Sequence, residues 1–310
     1  MTAAVLCLAF AVAFALSGCS GPNTDTAVDT GATHDTVTED FFLENEDGTF
    51  TYGEIVAPVT DDSYPLVSIS HGIYGTINSG GARQLSQMLA ENGIAAVRVD
   101  FNRCLTDDPD KALTKDKSGR VNEYTISDML ESNMLAIHYA LDHYNVDKDR
   151  IGLYGRSFGG RIAMVMGNES WGGIDYKAMA LIAPAGNEYA LIHYMGGQKK
   201  WDELRAAADK DGRVKRGNLT LTPRWFEEYY AFNPALTGDK FGDKPVMVYY
   251  NTKDTVVEPK TSLDCAHAYP NVSIYEVTTD DGHGYEMSYK HSAIKDEIMD
   301  RVVTFFKENL

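Results

Sequence analysis

A serine between two glycines is the residue whose type and spacing most directly indicate chemistry in this sequence. The motif Gly155-Arg-Ser157-Phe-Gly159 follows a short apolar run and opens a stretch with helical periodicity. A serine on a sharp turn from strand to helix needs small neighbours, because the backbone and the helix come close together there. The arrangement predicts that Ser157 is a nucleophile and that Gly155 and Gly159 are the small residues of its turn.

A serine hydroxyl becomes an effective nucleophile only when a base takes its proton and a third group orients that base. Asp254 lies in the loop after a predicted strand at 246–250, and His283 lies between two glycines after a predicted strand at 273–277. Of the eight histidines, only His283 is flanked by glycines in a loop after the last predicted strand, whereas His291 stands at the start of the last predicted helix. The acidic residues that compete with Asp254 are Glu258, Asp243, Asp280 and Asp281.

The oxyanion that forms on an attacked carbonyl needs two backbone N–H donors. Phe158, directly after the serine, is one candidate. The second candidate is Ile73, in the loop that follows an early predicted strand, where Gly72 permits the turn. We expect His71 of the same loop to be structural rather than a catalytic base.

These residues resemble the α/β-hydrolase superfamily, in which nucleophile, acid and histidine follow one another in this chain order. Four local stretches are similar to bacterial cinnamoyl (feruloyl) esterases: Val-Asp-Phe-Asn at 99–102, Leu-Ile-Ala-Pro-Ala at 181–185, Asp-Thr-Val-Val-Glu-Pro at 254–259, and Gly-His at 282–283 followed by Ser-Tyr at 288–289. The resemblance implies a Ser157, His283 and Asp254 triad, oxyanion donors at Ile73 and Phe158, ester hydrolysis through an acyl-enzyme, and no metal or cofactor.

The chain departs from the esterase pattern at positions that border the site. Arg156 stands where the family usually has His, Phe158 where it has Gln, and Asn251 where it has Gly. A Gly-His-Gly turn of the relatives is replaced by Arg-Cys-Leu at 103–105 and a polar, charged loop to about residue 120. These differences leave the acyl specificity open.

The elements that would position these residues alternate between short apolar or β-branched runs and longer helical stretches. This alternation is typical of an α/β protein with a mostly parallel sheet and helices on both faces. The predicted strands are 50–57 (antiparallel), 66–70, 94–99, 150–154, 178–182, 246–250 and 273–277. The predicted helices are 79–92, 127–144 with a serine cap, 158–166, 260–268 and 292–308.

The alternation stops at about residues 185–243, which are rich in aromatic side chains. We expect this segment to be an inserted lid over the carboxyl edge of the sheet. The alternative is that most of these rings pack a core of the insertion itself. The aromatic residues are Tyr189, Tyr194, Trp201, Trp225, Phe226, Tyr229, Tyr230 and Phe232.

The first 18 residues have the pattern of an export signal. An apolar run at 3–16 is too short to span a bilayer and ends in Leu-Ser-Gly-Cys19, which resembles the bacterial lipobox. The resemblance implies lipidation at Cys19 and a location in the bacterial cell envelope. No Lys or Arg precedes the apolar run, which leaves open a start upstream of Met1. A plain secretory leader with an incidental Cys is the alternative, because small residues before a cleavage site are common in such leaders.

The overall composition and charge of the chain indicate its general class and its folded part. Of the 310 residues, 44% are hydrophobic and 24% charged, as in ordinary globular proteins. The formal net charge of −17 argues against nucleic acid as a partner. Residues 20–47 are acidic, small and polar, so we expect residues 19–47 to be a disordered tether and residues 48–310 to form the folded domain. Pairing of Cys104 with Cys265 stays open.

The sequence therefore predicts a lipid-anchored serine hydrolase of small-molecule or saccharide esters. Two alternatives share the same residues. One is a peptidase or thioesterase, because the fold and the triad do not determine the acyl substrate. The other is a binding lipoprotein whose hydrolase fold has lost its activity.

Overall fold

Most of the chain forms one sheet covered by helices. The computed structural model describes residues 33–115, 117–287 and 292–310. Within them, the strands of the main sheet are β1 Thr36–Glu44, β2 Phe50–Pro58, β3 Tyr64–Ser70, β4 Ala95–Val99, β5 Val146–Arg156, β6 Ala178–Ile182, β9 Val246–Asn251 and β10 Val272–Val277. A separate hairpin consists of β7 Val214–Arg216 and β8 Leu219–Leu221.

The helices of the described residues fall between these strands. They are α1 Ala82–Glu91, α2 Pro109–Ala112, α3 Ile126–His143, α4 Phe158–Asn168, α5 Tyr189–Tyr194, α6 Gln198–Asp211, α7 Pro223–Ala231, α8 Pro259–Ala266 and α9 Ser292–Asn309. Short 3₁₀ turns lie at Ser79–Gly81, Trp171–Gly173, Pro234–Leu236, Gly238–Phe241 and Gly282–Met287. None of these helices is long and apolar enough to cross a membrane.

The sheet has the order β1-β2-β4-β3-β5-β6-β9-β10. The neighbouring strands β4, β3, β5, β6, β9 and β10 pair in parallel. At the other edge of the sheet, β2 pairs antiparallel with β4 and β1 pairs antiparallel with β2. Every residue of β3, β4, β6 and β9 is buried, as expected for parallel strands covered on both faces. The predicted α/β fold class is confirmed.

Successive side chains of the strands point into two separate hydrophobic cores, one on each face of the sheet. Leu66 and Leu153 point to a core that contains residues of α3 and α4. Their neighbours Val67 and Tyr154 point to the opposite core, which contains residues of α1 and α9. Because successive side chains of a strand point to opposite faces, the buried runs read from the sequence correspond to helices on both sides of the sheet.

The predicted disordered tether is wrong for its second half. Residues 36–44 form β1, which pairs along its whole length with β2, and Phe41 is only 5% exposed. Three of the acidic residues that favoured disorder, Glu39, Asp40 and Glu44, lie on this exposed edge strand, where charge discourages pairing with another chain. The folded part therefore begins upstream of residue 48. The predicted signal peptide and Cys19 lie outside the described residues.

The start of α3 also differs from the prediction of a serine cap. Thr125 caps the helix, since its hydroxyl accepts a hydrogen bond from Asp128 N while an Asp128 carboxylate oxygen accepts one from Thr125 N. This reciprocal pair satisfies two N–H groups that a helix end otherwise leaves unpaired. Ser127 instead donates its hydroxyl to Glu228 of α7, which ties α3 to the insertion.

The insertion between β6 and β9 comprises α5 to α7 and the small hairpin. Four of its rings are fully buried and contact one another: Trp201, Trp225, Phe226 and Tyr229. The Trp225 ring also stacks on Phe158 of α4, with 6.4 Å between centroids. These four rings form a core of the insertion, as the alternative interpretation expected, whereas Tyr189 and Tyr194 are largely exposed.

Candidate active site

Ser157 occupies the tight turn between β5 and α4. Its backbone has φ 56° and ψ −121°, a positive φ that side-chain-bearing residues rarely adopt and that persists where the surroundings enforce it. Those surroundings are hydrogen bonds: Ser157 N donates to Ile182 O over 2.9 Å, and Ala185 N donates to Ser157 O over 3.0 Å. The serine is therefore held in this turn geometry by the end of the neighbouring strand β6.

The flanking glycines of the turn are sterically required. A Cβ at Gly155 would lie 2.4 Å from Gly159 O, and a Cβ at Gly159 would lie 2.1 Å from Ser70 O. Both distances are far below van der Waals contact, and in both cases the opposing atom is backbone. The close packing of α4 against β3 and β5 thus explains the two glycines of the motif.

Three side chains that are distant in sequence meet at the carboxyl edge of the sheet. Ser157 Oγ lies 2.9 Å from His283 Nε2, and His283 Nδ1 lies 2.7 Å from Asp254 Oδ2. Asp254 is buried and Ser157 is 7% exposed. The structure brings together all three residues that the sequence selected, in hydrogen-bonding order.

The competing acids lie elsewhere. Asp280 pairs with Lys253, and Asp281 accepts the hydroxyl hydrogen bond of Thr279. Glu258 lies 3.7 Å from His193, while Asp243 precedes β9 and so lies at the opposite end of that strand from Asp254. Asp254 is the acid whose Oδ2 lies within hydrogen-bonding distance of His283 Nδ1.

The second oxygen of Asp254 is occupied by its own loop. Oδ1 accepts hydrogen bonds from Val256 N over 2.8 Å and from Val257 N over 3.0 Å. These bonds fix the rotation of the carboxylate, so Oδ2 is aimed at the imidazole. Charge-assisted bonds of this kind are stronger than neutral ones, which suits a group that must orient a histidine.

Both predicted oxyanion donors lie beside the serine. Phe158 is the first residue of α4, so its N–H has no acceptor one turn back in the helix. Gly75 N donates to Gly72 O, which closes a turn around Ile73, and a Cβ at Gly72 would lie 3.2 Å from Ser157 Cβ. Ile73 and Phe158 line the same cavity as Ser157.

His71 supports this loop. Its Nδ1–H donates to Gly72 O over 2.8 Å, and its Nε2 accepts a hydrogen bond from Phe101 N over 3.1 Å. Burial lowers the pKa of His71, because a buried imidazole disfavours its charged form. A neutral imidazole whose two nitrogens are both hydrogen-bonded to the backbone has the structural role that the sequence indicated.

The cavity at Ser157 is small and mostly apolar. It has a volume of about 80 Å³, and Ser157 and His283 form its polar wall together with the half-buried Arg156. The other lining residues are Ile73, Phe158, Ala185, Ala190, Leu191, Tyr194, Val256 and Val257. A larger cavity of about 800 Å³ is lined by neither Ser157, His283 nor Asp254. Its charged lining residues include both acids, such as Asp128 and Glu131, and the arginines Arg103 and Arg224.

Arg161, one turn into α4, was not identified from the sequence. It is fully buried, stacks 4.1 Å from the centre of the Tyr229 ring, and donates hydrogen bonds to four backbone carbonyls, those of Ala185, Asn187, Tyr229 and Phe232. Burial lowers its pKa. An arginine within an otherwise apolar helix was the available signal, since such a residue is almost never buried without partners.

The two cysteines and the possible metal ligands of the described residues form no further site. Cys104 and Cys265 are buried free thiols, so they do not form a disulfide. Among the described residues, no group of three or more His, Cys, Asp or Glu side chains is close enough to hold a metal ion.

No protein-family model matches this sequence, and no curated protein matches it. Solved structures do resemble it. Est1E from Butyrivibrio proteoclasticus has a TM-score of 0.63 at 18% identity, over 86% of this chain and 99% of Est1E; its complex with ferulic acid has a TM-score of 0.65 with the same identity and coverage. The α/β-hydrolase GrgF from Penicillium sp. sh18 has a TM-score of 0.64 at 14% identity, over 88% of this chain and 99% of GrgF.

The likeness covers 86% to 88% of this chain. At identities of 14% and 18% it concerns the fold alone. This chain contributes a mostly parallel sheet with helices on both faces. The chain has the α/β-hydrolase fold.

Proposed function

We propose that this protein is a serine hydrolase that cleaves carboxylic esters through an acyl-enzyme. The observation that carries the proposal is the continuous hydrogen-bonded series from Ser157 through His283 to Asp254, beside a cavity that could hold an acyl group. An intact series of this kind also argues against a binding protein with a decayed site, because decay usually removes a member.

Ser157 Oγ attacks the ester carbonyl while its proton passes to His283 Nε2. Asp254 holds the ring so that Nδ1 carries the other proton, and the imidazolium formed is stabilised by the carboxylate. The N–H groups of Phe158 and Ile73 donate to the oxyanion. The tetrahedral intermediate expels the alcohol, which takes the proton from Nε2. Water then attacks the acyl-enzyme while His283 Nε2 takes its proton, and the second tetrahedral intermediate releases the free acid as that proton passes back to Ser157 Oγ.

The test is hydrolysis of p-nitrophenyl acetate and p-nitrophenyl decanoate by the wild type and by Ser157→Ala. Removing the nucleophile should lower kcat by about 10⁴-fold or more, and labelling by a fluorophosphonate probe should disappear with it. Equal rates in the two proteins, with both folded by circular dichroism, would exclude Ser157 as the nucleophile. Probe labelling without ester turnover would direct attention to peptides and thioesters, the alternative substrates of the same triad.

A hydroxycinnamoyl acyl group is a second, narrower candidate. The four stretches that resemble feruloyl esterases and the fold shared with Est1E, whose complex contains ferulic acid, support it. The cleft itself is narrow, about 80 Å³ against the roughly 150 Å³ of an enclosed cavity that accepts benzene, so a cinnamoyl ring would have to extend beyond it. Turnover of methyl ferulate at a kcat/KM comparable with that of p-nitrophenyl acetate would establish it, and turnover of short acyl esters alone would remove it.

We also propose that the protein is exported and anchored in the bacterial cell envelope through a lipid on Cys19. The proposal rests on the leader sequence and its lipobox-like end. Metabolic labelling with a radioactive fatty acid should mark the wild type and not Cys19→Ala. An unlabelled wild type recovered from the culture medium would favour a plain secretory leader.

A further inference from the structure

We propose that Asn251 and Arg156 are positioning residues that hold the His283 loop against Ser157 from two sides. Both are positions at which the sequence departs from the feruloyl esterase pattern. The inference rests on the proposed serine hydrolase function, because it concerns how this chain places its base. Neither side chain is required to touch the substrate.

Asn251 acts from the strand that carries the acid. It is fully buried at the end of β9, and its Nδ2 donates to Thr279 O over 3.0 Å and to Gly282 O over 2.8 Å. Its Oδ1 accepts from Thr279 N and from Lys253 N, each over 3.1 Å. These four bonds use two amide donors and both acceptor sites of the side chain.

The position of Asn251 explains why an amide is useful there. The parallel ladder between β9 and β10 ends with the pair Asn251 and Val277, so the backbone beyond Val277 has no strand beside it. The Asn251 amide has the donor and acceptor of a peptide group and continues the bonding to residues 279 and 282. Asn251 O also accepts from Asp254 N, so one residue connects the acid turn with the histidine loop.

Arg156 acts from the other side, one residue before the nucleophile. Its Nη2 donates to His283 O over 2.8 Å. The side chain reaches that carbonyl by passing two glycines: a Cβ at Gly80 would lie 2.7 Å from Arg156 Cδ, and a Cβ at Gly72 would lie 3.6 Å from Arg156 Nη1. The guanidinium therefore ties Arg156, which directly precedes Ser157, to the main chain of His283, which must accept the Ser157 proton.

The physical need for two restraints follows from where His283 lies. It is in a loop after β10, the last strand at one edge of the sheet, and in a short 3₁₀ turn whose first residue, Gly282, has φ 58°. Loops are more mobile than the elements they connect. A displacement of about 1 Å between reacting groups costs on the order of 10²-fold in rate. Bonds to the backbone of Gly282 and His283 restrain that displacement directly.

A displaced histidine should affect substrates unequally, and this provides a readout beyond general stability. An alkoxide leaving group needs a proton from His283, whereas p-nitrophenolate leaves without one. Two esters of the same acid, ethyl butyrate and p-nitrophenyl butyrate, therefore separate correct placement of the acid from the mere amount of folded enzyme. The ratio of their kcat/KM values is independent of enzyme concentration.

The experiment compares Arg156→Met and Asn251→Ala with the control Arg150→Met. The control removes another arginine of β5, one that lies nearer the amino end of the strand and pairs with Asp147. We expect kcat/KM for ethyl butyrate to fall about tenfold further than that for p-nitrophenyl butyrate in both test variants. The control should keep the wild-type ratio. Because Arg156 is only half-buried, its variant provides the test if Asn251→Ala does not fold.

An unchanged ratio in folded Arg156→Met, or an equal loss on both esters, would overturn the proposal for Arg156. The same results in folded Asn251→Ala would overturn it for Asn251. Failure of the proposed function itself is distinguishable, because the wild type would then hydrolyse neither butyrate ester, or Ser157→Ala would hydrolyse both at the wild-type rate.

Discussion

Asp254 shares its two carboxylate oxygens between two tasks: Oδ2 lies 2.7 Å from His283 Nδ1, and Oδ1 accepts the N–H groups of Val256 and Val257. The acid is thereby oriented by its own loop before it orients the histidine. This division explains how a buried carboxylate on one loop can hold an imidazole that lies 29 positions further along the chain.

Replacing Asp254 by Asn should keep the loop and disable the histidine. An amide can still accept the two backbone bonds, but its NH₂ group would face Nδ1 and favour the imidazole tautomer that cannot take the serine proton. We expect kcat for p-nitrophenyl acetate to fall by about 10³- to 10⁴-fold with little change in melting temperature. Asp280→Asn, on an exposed acid of the histidine loop, is the control and should keep full activity. Near-normal turnover by Asp254→Asn would mean that another acid orients His283.

Arg161 should be important for stability, since it satisfies four backbone carbonyls that connect α4 to the insertion. Arg161→Met keeps much of the apolar stem but leaves those buried acceptors without a donor, each at about 1–3 kcal/mol. We expect a clear loss in the free energy of unfolding, measured with urea. Arg161→Lys should restore little of it, because an ammonium lacks the planar fork of donors. Stability equal to wild type in the Met variant would show that water replaces the guanidinium.

The first strand should contribute to stability although its composition resembles that of a tether. Phe41 is buried in contact with Gly53, where a Cβ would lie 2.2 Å from its ring. Phe41→Ala should reduce the free energy of unfolding by about 3 kcal/mol. The neighbouring Phe42→Ala is the matched control and should cost less, because Phe42 is only half-buried. If a chain beginning at residue 48 melted at the same temperature as one beginning at residue 33, β1 would be dispensable.

The two thiols should be unreactive in the folded protein. Burial raises the pKa of Cys104 to about 11 and that of Cys265 to about 12, and the thiolate is the form that attacks disulfide reagents. At pH 8 both groups are therefore protonated. In a chain beginning at residue 33, titration with a disulfide reagent should detect neither thiol under native conditions and both in denaturant. Rapid native reaction of either thiol would contradict the burial described above.

The parallel strands could be predicted because their burial is a local property of the chain. Runs such as Leu66 to Ser70 are buried on both faces, so their composition alone distinguishes them from the amphipathic helices between them. The edge strand β1 could not be distinguished in this way. Its exposed acidic residues match those of a disordered segment, and its order depends on the partner β2, which no local pattern reveals.

The same distinction applies to the site. The sequence by itself determined which residue types could act and in what chain order, because the turn around Ser157 and the loops after β9 and β10 have local signatures. Only the tertiary structure decided that Ser157, His283 and Asp254 come within hydrogen-bonding distance. It also decided that Asn251 and Arg156 contact the histidine loop. These contacts join residues at the ends of different strands or in the loops that follow them, and their distances are determined by the packing of the sheet rather than by any stretch of sequence.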